Sequence, residues 1–428
     1  MNFVIKGNIC YSVSPTEIRT VNGYAVCREG LSCGVYETLP GEFAGYTLYD
    51  CGDQLVIPGM ADLHIHASQF AYRGTCMDLE LLDWLNNHAF PEESKFADPE
   101  YADKAYAVFA DSMKKSATTR ACIFASRHAE ATEILMEKLE ASGIVSYVGK
   151  VNMDREAPDP LREESAEVSA ADTVRWIESV RGKFARTYPI LTPRFIPSCT
   201  DRLMEKLGEI QRKYGLPMQS HLSENKGEIA WVKSLCPDAA FYGDAYDIHG
   251  LFGRNHESGA DVPTIMAHCV WSSDEEIARM KEQGVYVAHC PASNMNVASG
   301  IAPIRRYLNA GLRLGLGSDV AGGQSESMFR AVTDAIQVSK LYWRHIDQGC
   351  KALTFEEVFH MATMGGGGFF GRVGSFESGY EFDAVVLDDS IQPTTLAMDA
   401  RQRLERAFYL SVDRDGITHK FVRGIKIL

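Results

Sequence analysis

His64 and His66 stand two residues apart in LHIHASQF, a short apolar run just after the turn-forming pair Pro58-Gly59. On a strand, alternation sends both imidazoles to one face, where they can converge on a single metal ion. The pair alone decides nothing, because packing and local hydrogen bonding account for a strand-borne His-x-His equally well. Further reactive side chains recur, however, near the ends of other apolar runs: Arg194, His221 with Glu224, His268, His289 and Asp319. Singly, each has a plain reading, since a histidine can cap a carbonyl and the aspartate of GLGSDVAGG can stabilise a turn. Together they make five of the twelve histidines and three charged groups in one register of successive segments. Burying so many without a shared purpose carries a large desolvation penalty, so a common site is expected.

The ligand count fixes the chemistry of such a site. Neutral imidazoles from His64, His66 and His221, with the carboxylate of Asp319, suit one zinc or ferrous ion and leave a position for water. A bound dication lowers the pKa of water from about 15.7 to about 7 and so supplies hydroxide at neutral pH. Glu224, three residues beyond His221, is placed to carry a proton from that water to a substrate ring nitrogen. His268 is placed to orient the hydroxide or to share its proton with Asp319. Other metal signatures fail: His128-Ala129-Glu130 matches half of a cytidine-deaminase type of zinc site, but the P-C-x-x-C half is missing. H-E-x-x-H, a P-loop and G-x-S-x-G are likewise missing, and the run Gly365 to Gly368 lacks the Lys-Ser/Thr of a phosphate loop and reads as close helix packing or a turn.

Eight β-rich segments must position these groups: ADLHIHA from Ala61, TRACIFAS from Thr119, SYVGKVNMD from Ser146, PILTPRF from Pro189, PMQSHLSE from Pro217, TIMAHCVW from Thr264, VYVAHCPAS from Val285 and LRLGLGSD from Leu312. Between them lie stretches such as ATEILMEKLEASG and TDRLMEKLGEIQRKYG, apolar at helical spacing and ending on glycine. Eight strands with helical crossovers fit a closed (β/α)8 TIM barrel over residues 58–375, although alternation alone also allows an open doubly wound sheet. In a barrel the C-terminal strand ends share one face, so residues spread over the chain would meet in one pocket. The ends of the chain read differently. MNFVIKGNICY and GYTLYDCG at the start, EFDAVVLDD and KFVRGIKIL at the end, are short strand-like runs. Neither end makes a stable sheet alone, so residues 1–57 and 376–428 are expected to combine into one small β-sandwich.

Composition narrows the partners. The 428 residues are 45% hydrophobic and carry a formal charge of -14, which disfavours nucleic acid and anionic membrane surfaces but leaves a small neutral ligand indifferent. No apolar run is long enough to span a bilayer and MNFVIKGNICYSVSPTEI lacks the features of a secretory signal, so a cytoplasmic protein is expected. Eleven cysteines without a C-x-x-C pair argue against disulfide or thiolate-zinc frameworks.

Through PGMADLHIHAS, QSHLSE, MAHCVW, AHCPASN and GLGSDVAGG the sequence resembles the amidohydrolase superfamily over nearly its whole length. The co-occurrence of HIHASQF, TPRF, SHLSEN, MAHC and SDVAGG in that order makes it similar to the mononuclear, guanine-deaminating branch. The resemblance implies His64, His66, His221 and Asp319 as metal ligands, Glu224, His268 and Asp319 in catalysis, and Gln69, Arg194 and Phe195 as substrate contacts beside His221 and Glu224. It implies hydrolysis of guanine to xanthine and ammonia in purine catabolism, and a homodimer. Arg194 stands where binuclear relatives carry a metal-bridging lysine, which argues for one metal, and its planar donors match the O6 and N7 edge of guanine. Phe195 could stack on the purine, and Gln69 offers a donor and an acceptor. Two departures stand out: Ala292 where relatives commonly have asparagine, and a glycine-rich segment from Gly365 that blurs the C-terminal boundary. Rival readings are an aminohydrolase or halohydrolase acting on another purine, a pterin or an s-triazine, and a non-catalytic barrel protein, which should have lost ligands or Glu224.

Overall fold

The computed structural model describes residues 1–253 and 262–428. Its centre is a ring of eight parallel strands: Met60–His66, Thr118–Phe124, Val145–Gly149, Thr187–Pro189, Met218–Leu222, Thr264–His268, Tyr286–His289 and Arg313–Leu316. Seven of the junctions are ladder pairs. The eighth closes where Leu191 N–H donates to Pro217 O at 2.9 Å and Gln219 N–H to Leu191 O at 2.9 Å. The open-sheet alternative is thereby excluded, and each strand lies within a few residues of its sequence-based position.

The fourth strand differs from expectation. PILTPRF reads as one run, but the ladder stops at Pro189 and resumes as Thr192–Pro193, paired with Val151–Asn152. Both prolines lack the N–H that a continuous ladder needs. The break turns Arg194 and Phe195 off the barrel wall toward its mouth.

Helices end where the sequence provides stops. Asp201–Tyr214 begins under Thr200, whose hydroxyl accepts from Leu203 N–H at 3.2 Å, and ends at Gly215 with φ 63°. Glycines also set two close approaches. A Cβ on Gly59, between the strand Thr47–Pro58 and the first barrel strand, would lie 2.2 Å from Thr119 Oγ1. In the Gly365 to Gly368 run, a Cβ on Gly365 would lie 2.5 Å from Leu314 O and one on Gly366 3.1 Å from the Ala61 Cβ. That run therefore lets a helical turn sit directly on the first and eighth strands, the packing role expected of it.

The chain ends share one seven-stranded sheet, ordered Ile425–Lys426, Ile417–Val422, Ala384–Leu387, Thr47–Pro58, Asn2–Ser14, Glu17–Arg28 and Leu31–Tyr36. Phe3 and Phe421 sit on strands with two others between them, some 14 Å apart in a flat sheet. Their rings nevertheless stack at 4.9 Å, so the sheet curls over itself into a sandwich with Phe376 and Phe382 inside. Arg120 fastens this body to the barrel. Its Nε donates to Asp383 Oδ2 at 2.5 Å and its Nη2 to Asp383 Oδ1 and Glu381 Oε2, both at 2.8 Å. Helix Ala400–Tyr409, from the C-terminal segment, packs instead on the barrel helix Met328–His345, with Phe408 stacked on Phe329 at 3.7 Å.

Candidate active site

The first barrel strand is followed by a long excursion rather than a short loop: a 3-10 turn Ala67–Tyr72, then short helical turns Leu81–Trp84, Leu85–Ala89 and Phe90–Ser94. This excursion roofs the C-terminal face, pinned by Leu81 N–H donating to Val297 O at 3.1 Å. Beneath it lies a cleft lined by Leu81, Trp84 and Leu85 together with His66, Arg194, His221, Glu224, His268 and Asp319.

At its floor four donor atoms converge. His64 Nε2 and His66 Nε2 are 3.2 Å apart, His66 Nε2 and His221 Nε2 3.3 Å, and Asp319 Oδ1 lies 3.2 Å from His64 Nε2 and 3.5 Å from His66 Nε2. Four ligands held tetrahedrally at about 2.1 Å from an ion stand about 3.4 Å from one another. These four separations and the nitrogen-rich donor set fit a single zinc or ferrous ion. Three devices build this cluster. Asp319 N–H donates to His64 O at 2.8 Å and His66 N–H to Val320 O at 3.1 Å, locking the first strand to the eighth. Buried Asp62 accepts from His64 N–H at 3.2 Å and from Ser318 N–H at 3.0 Å, reinforcing the same junction. Asp319 itself takes φ 46°, which aims its carboxylate across the barrel.

Electrostatics favour ligation. Desolvation holds His64 below its ordinary pKa, and desolvation plus neighbouring imidazoles hold His66 and His221 well below theirs, so all three present lone pairs. Burial works to raise Asp319, but His64, His268 and His66 face it and keep it ionised below the usual carboxylate range. The His221 Nδ1–H donates to Arg194 O at 2.6 Å, fixing the tautomer that points Nε2 at the cluster. His268 Nδ1 is 2.9 Å from Asn294 Oδ1, and its Nε2 lies 3.5 Å from Glu224 Oε2 and 3.6 Å from Asp319 Oδ2. Burial works against a charged His268, yet these two carboxylates outweigh it and raise its pKa. Glu224 is raised by burial and accepts from Ser299 Oγ at 2.9 Å. Next to it, Glu228 is pushed up to about 7 by burial and by the Glu224 carboxylate.

The substrate-side residues line the same cleft. Phe195 lines the cleft, edge-on to Trp231 at 6.0 Å. Gln69 and Arg194 converge on a residue that the sequence reading did not single out, Glu93. Its Oε1 accepts from Gln69 Nε2 at 2.7 Å and its Oε2 from Arg194 Nη1 at 2.6 Å, while Arg194 also stacks over Phe90 at 4.9 Å. One Arg194 donor is therefore already committed within the protein. His289, in register with His268, is buried, and neither of its ring nitrogens has a hydrogen-bond partner among the described residues. Asn294, Ser299 and Glu93 were missed because none ends a barrel strand. Glu228 was legible as a capping box, since Asn225 and Glu228 satisfy each other's backbone N–H groups at the start of helix Lys226–Leu235.

Comparison with known proteins places this architecture. Residues 55–424 match the Amidohydrolase family. Among relatives, the chain is 39% identical over 389 residues to a guanine deaminase of Dictyostelium discoideum, covering 89% of this chain and 84% of that one. It is 34% identical over 348 residues to the guanine deaminase of Escherichia coli, covering 80% and 75%. Among solved structures, a guanine deaminase from C. acetobutylicum with guanine bound in its active site superposes with a TM-score of 0.95 at 44% identity over 100% of both chains.

Proposed function

The chain belongs to the amidohydrolase family, and from that premise we propose that it is a hydrolytic aminohydrolase converting guanine to xanthine and ammonia. The observation that carries the reading is one cleft in which four metal-donor atoms, with His66 Nε2 3.2–3.5 Å from each of the other three, lie together with Glu224 and a buried arginine–glutamine pair.

His64, His66, His221 and Asp319 would hold one divalent cation, zinc or ferrous iron. Bound there, the cation supplies hydroxide near neutral pH by lowering the pKa of water. The rest is the work of side chains. Arg194 takes the ring carbonyl, Phe195 covers a purine face, and the apolar roof from Leu81 to Leu85 excludes bulk water, which strengthens the arginine contact. With guanine so held, C2 faces the donor cluster. Glu224 receives a proton from the attacking water and delivers it to N3, and a second proton transfer lets the 2-amino group leave as ammonia. His268, between Glu224 and Asp319, steadies the carboxylates and orients the attacking oxygen.

The formal charge of -14 suits a small neutral substrate better than a polyanion, and among the described residues no helix is long and apolar enough to cross a membrane. A homodimeric state and a place in purine catabolism rest on the resemblance, and light scattering of the purified protein checks the former. The functional test is a substrate panel of guanine, adenine, cytosine and an s-triazine, read by ammonia release. Guanine should be turned over far faster than the others, and a preference for the triazine would overturn the assignment.

A further inference from the structure

We propose that Glu93 is a positioning residue that fixes which ring edge the cleft accepts; this rests on the guanine reading and deepens it. Glu93, Gln69 and Arg194 are each at least 97% buried, and none is a donor in the metal cluster. Glu93 accepts from Gln69 Nε2 and from Arg194 Nη1, at 2.7 and 2.6 Å, and Ala321 N–H donates to Gln69 Oε1 at 3.1 Å.

A carboxylate only accepts and a backbone N–H only donates, so a single orientation of the Gln69 amide satisfies both neighbours. Turned over, it would set oxygen against carboxylate and N–H against N–H. Held this way, Gln69 keeps a second lone pair on Oε1 and a second N–H on Nε2, while Arg194 keeps its Nε and Nη2 donors. That pattern suits a lactam edge, a carbonyl oxygen beside a ring N–H, as in guanine O6 and N1–H. It clashes with an amidine edge, an amino group beside a bare nitrogen, as in 2,6-diaminopurine. Both purines carry the same 2-amino group, so Glu93 would set selectivity without touching the ring.

The experiment measures kcat and KM on guanine and 2,6-diaminopurine, with products identified by chromatography, for wild type, Glu93→Gln, and the swap Glu93→Gln with Gln69→Glu. The amide at 93 in the single variant donates toward Gln69, which removes its fixed orientation. Guanine kcat/KM should fall about ten- to a hundredfold, chiefly through KM, as for a lost hydrogen bond to a charged group. Turnover of 2,6-diaminopurine should change much less, collapsing the ratio. The swap restores donor–acceptor matching along the whole chain and should recover most of the guanine preference. Should the single variant not fold, the swap alone decides, because it must still prefer guanine. Equal losses on both purines, or a swap indifferent between them, overturn the proposal. Inactivity of the wild type on guanine would instead overturn the reading beneath it.

Discussion

Replacing Glu224 with glutamine separates proton transfer from everything else in the site. The amide fits the same space: its oxygen can still accept from Ser299 Oγ, now 2.9 Å from Glu224 Oε1, and its other end still faces His268 Nε2 across 3.5 Å. Stability should therefore change by no more than about 1 kcal/mol, the worth of one hydrogen bond. The cation should be retained, because Glu224 is not among the four atoms spaced for a tetrahedral ion. The ability to take a proton from water and hand it to a ring nitrogen disappears. Positioned acid–base groups contribute about 10²- to 10⁴-fold, so kcat should fall by that factor, equivalent to roughly 3–5 kcal/mol of barrier. Ammonia release under saturating guanine gives the rate, elemental analysis the metal content and thermal melting the stability. A kcat within threefold of wild type, with metal intact, would refute the role given to Glu224. Loss of the cation along with activity would show that the residue supports ligation instead.

Arg194→Met should depress guanine kcat/KM severely with metal retained, and should also cost about 3–5 kcal/mol in stability because Glu93 loses its partner while buried; melting and steady-state kinetics check both. Arg120→Met should cost a similar amount by stranding Asp383, read as a lower Tm without a change in KM. Asp413, away from the cleft, is pushed from its ordinary 3.8 up to about 6 by burial. Its folded pKa exceeds its unfolded one, so the stability it contributes is complete below about 3.8 and lost as pH rises through about 6, at most about 3 kcal/mol. Asp413→Asn should therefore raise Tm more at pH 8 than at pH 5, and a constant difference between the two would exclude this.

How far the sequence carried the structure follows from how local each signal is. Barrel strands such as Thr264–His268 and Tyr286–His289 were legible because a strand buried on both faces is a continuous apolar run between turn signals. The meeting of His64, His66, His221 and Asp319 was legible because parallel strands deliver their C-terminal ends to one face, whatever the intervening lengths. What escaped lies off that register. Glu93 sits in a helical turn of the roof, and FPEES reads as an exposed acidic helix start; only the folding of the roof onto Arg194 makes it a partner. Asn294 and Ser299 follow the seventh strand, on a helix and a loop that periodicity cannot orient. His289 shares the register of His268, but strand register alone does not assign it a role.

The central claim is that one cation, held by His64, His66, His221 and Asp319, makes this cleft a guanine-hydrolysing site. Titrating metal-stripped protein with zinc while following conversion of guanine to xanthine tests it most directly. Activity should be absent at the start, rise in proportion to added metal and level off at about one ion per chain. Full turnover by the stripped protein, or a plateau only at two ions, would contradict the account.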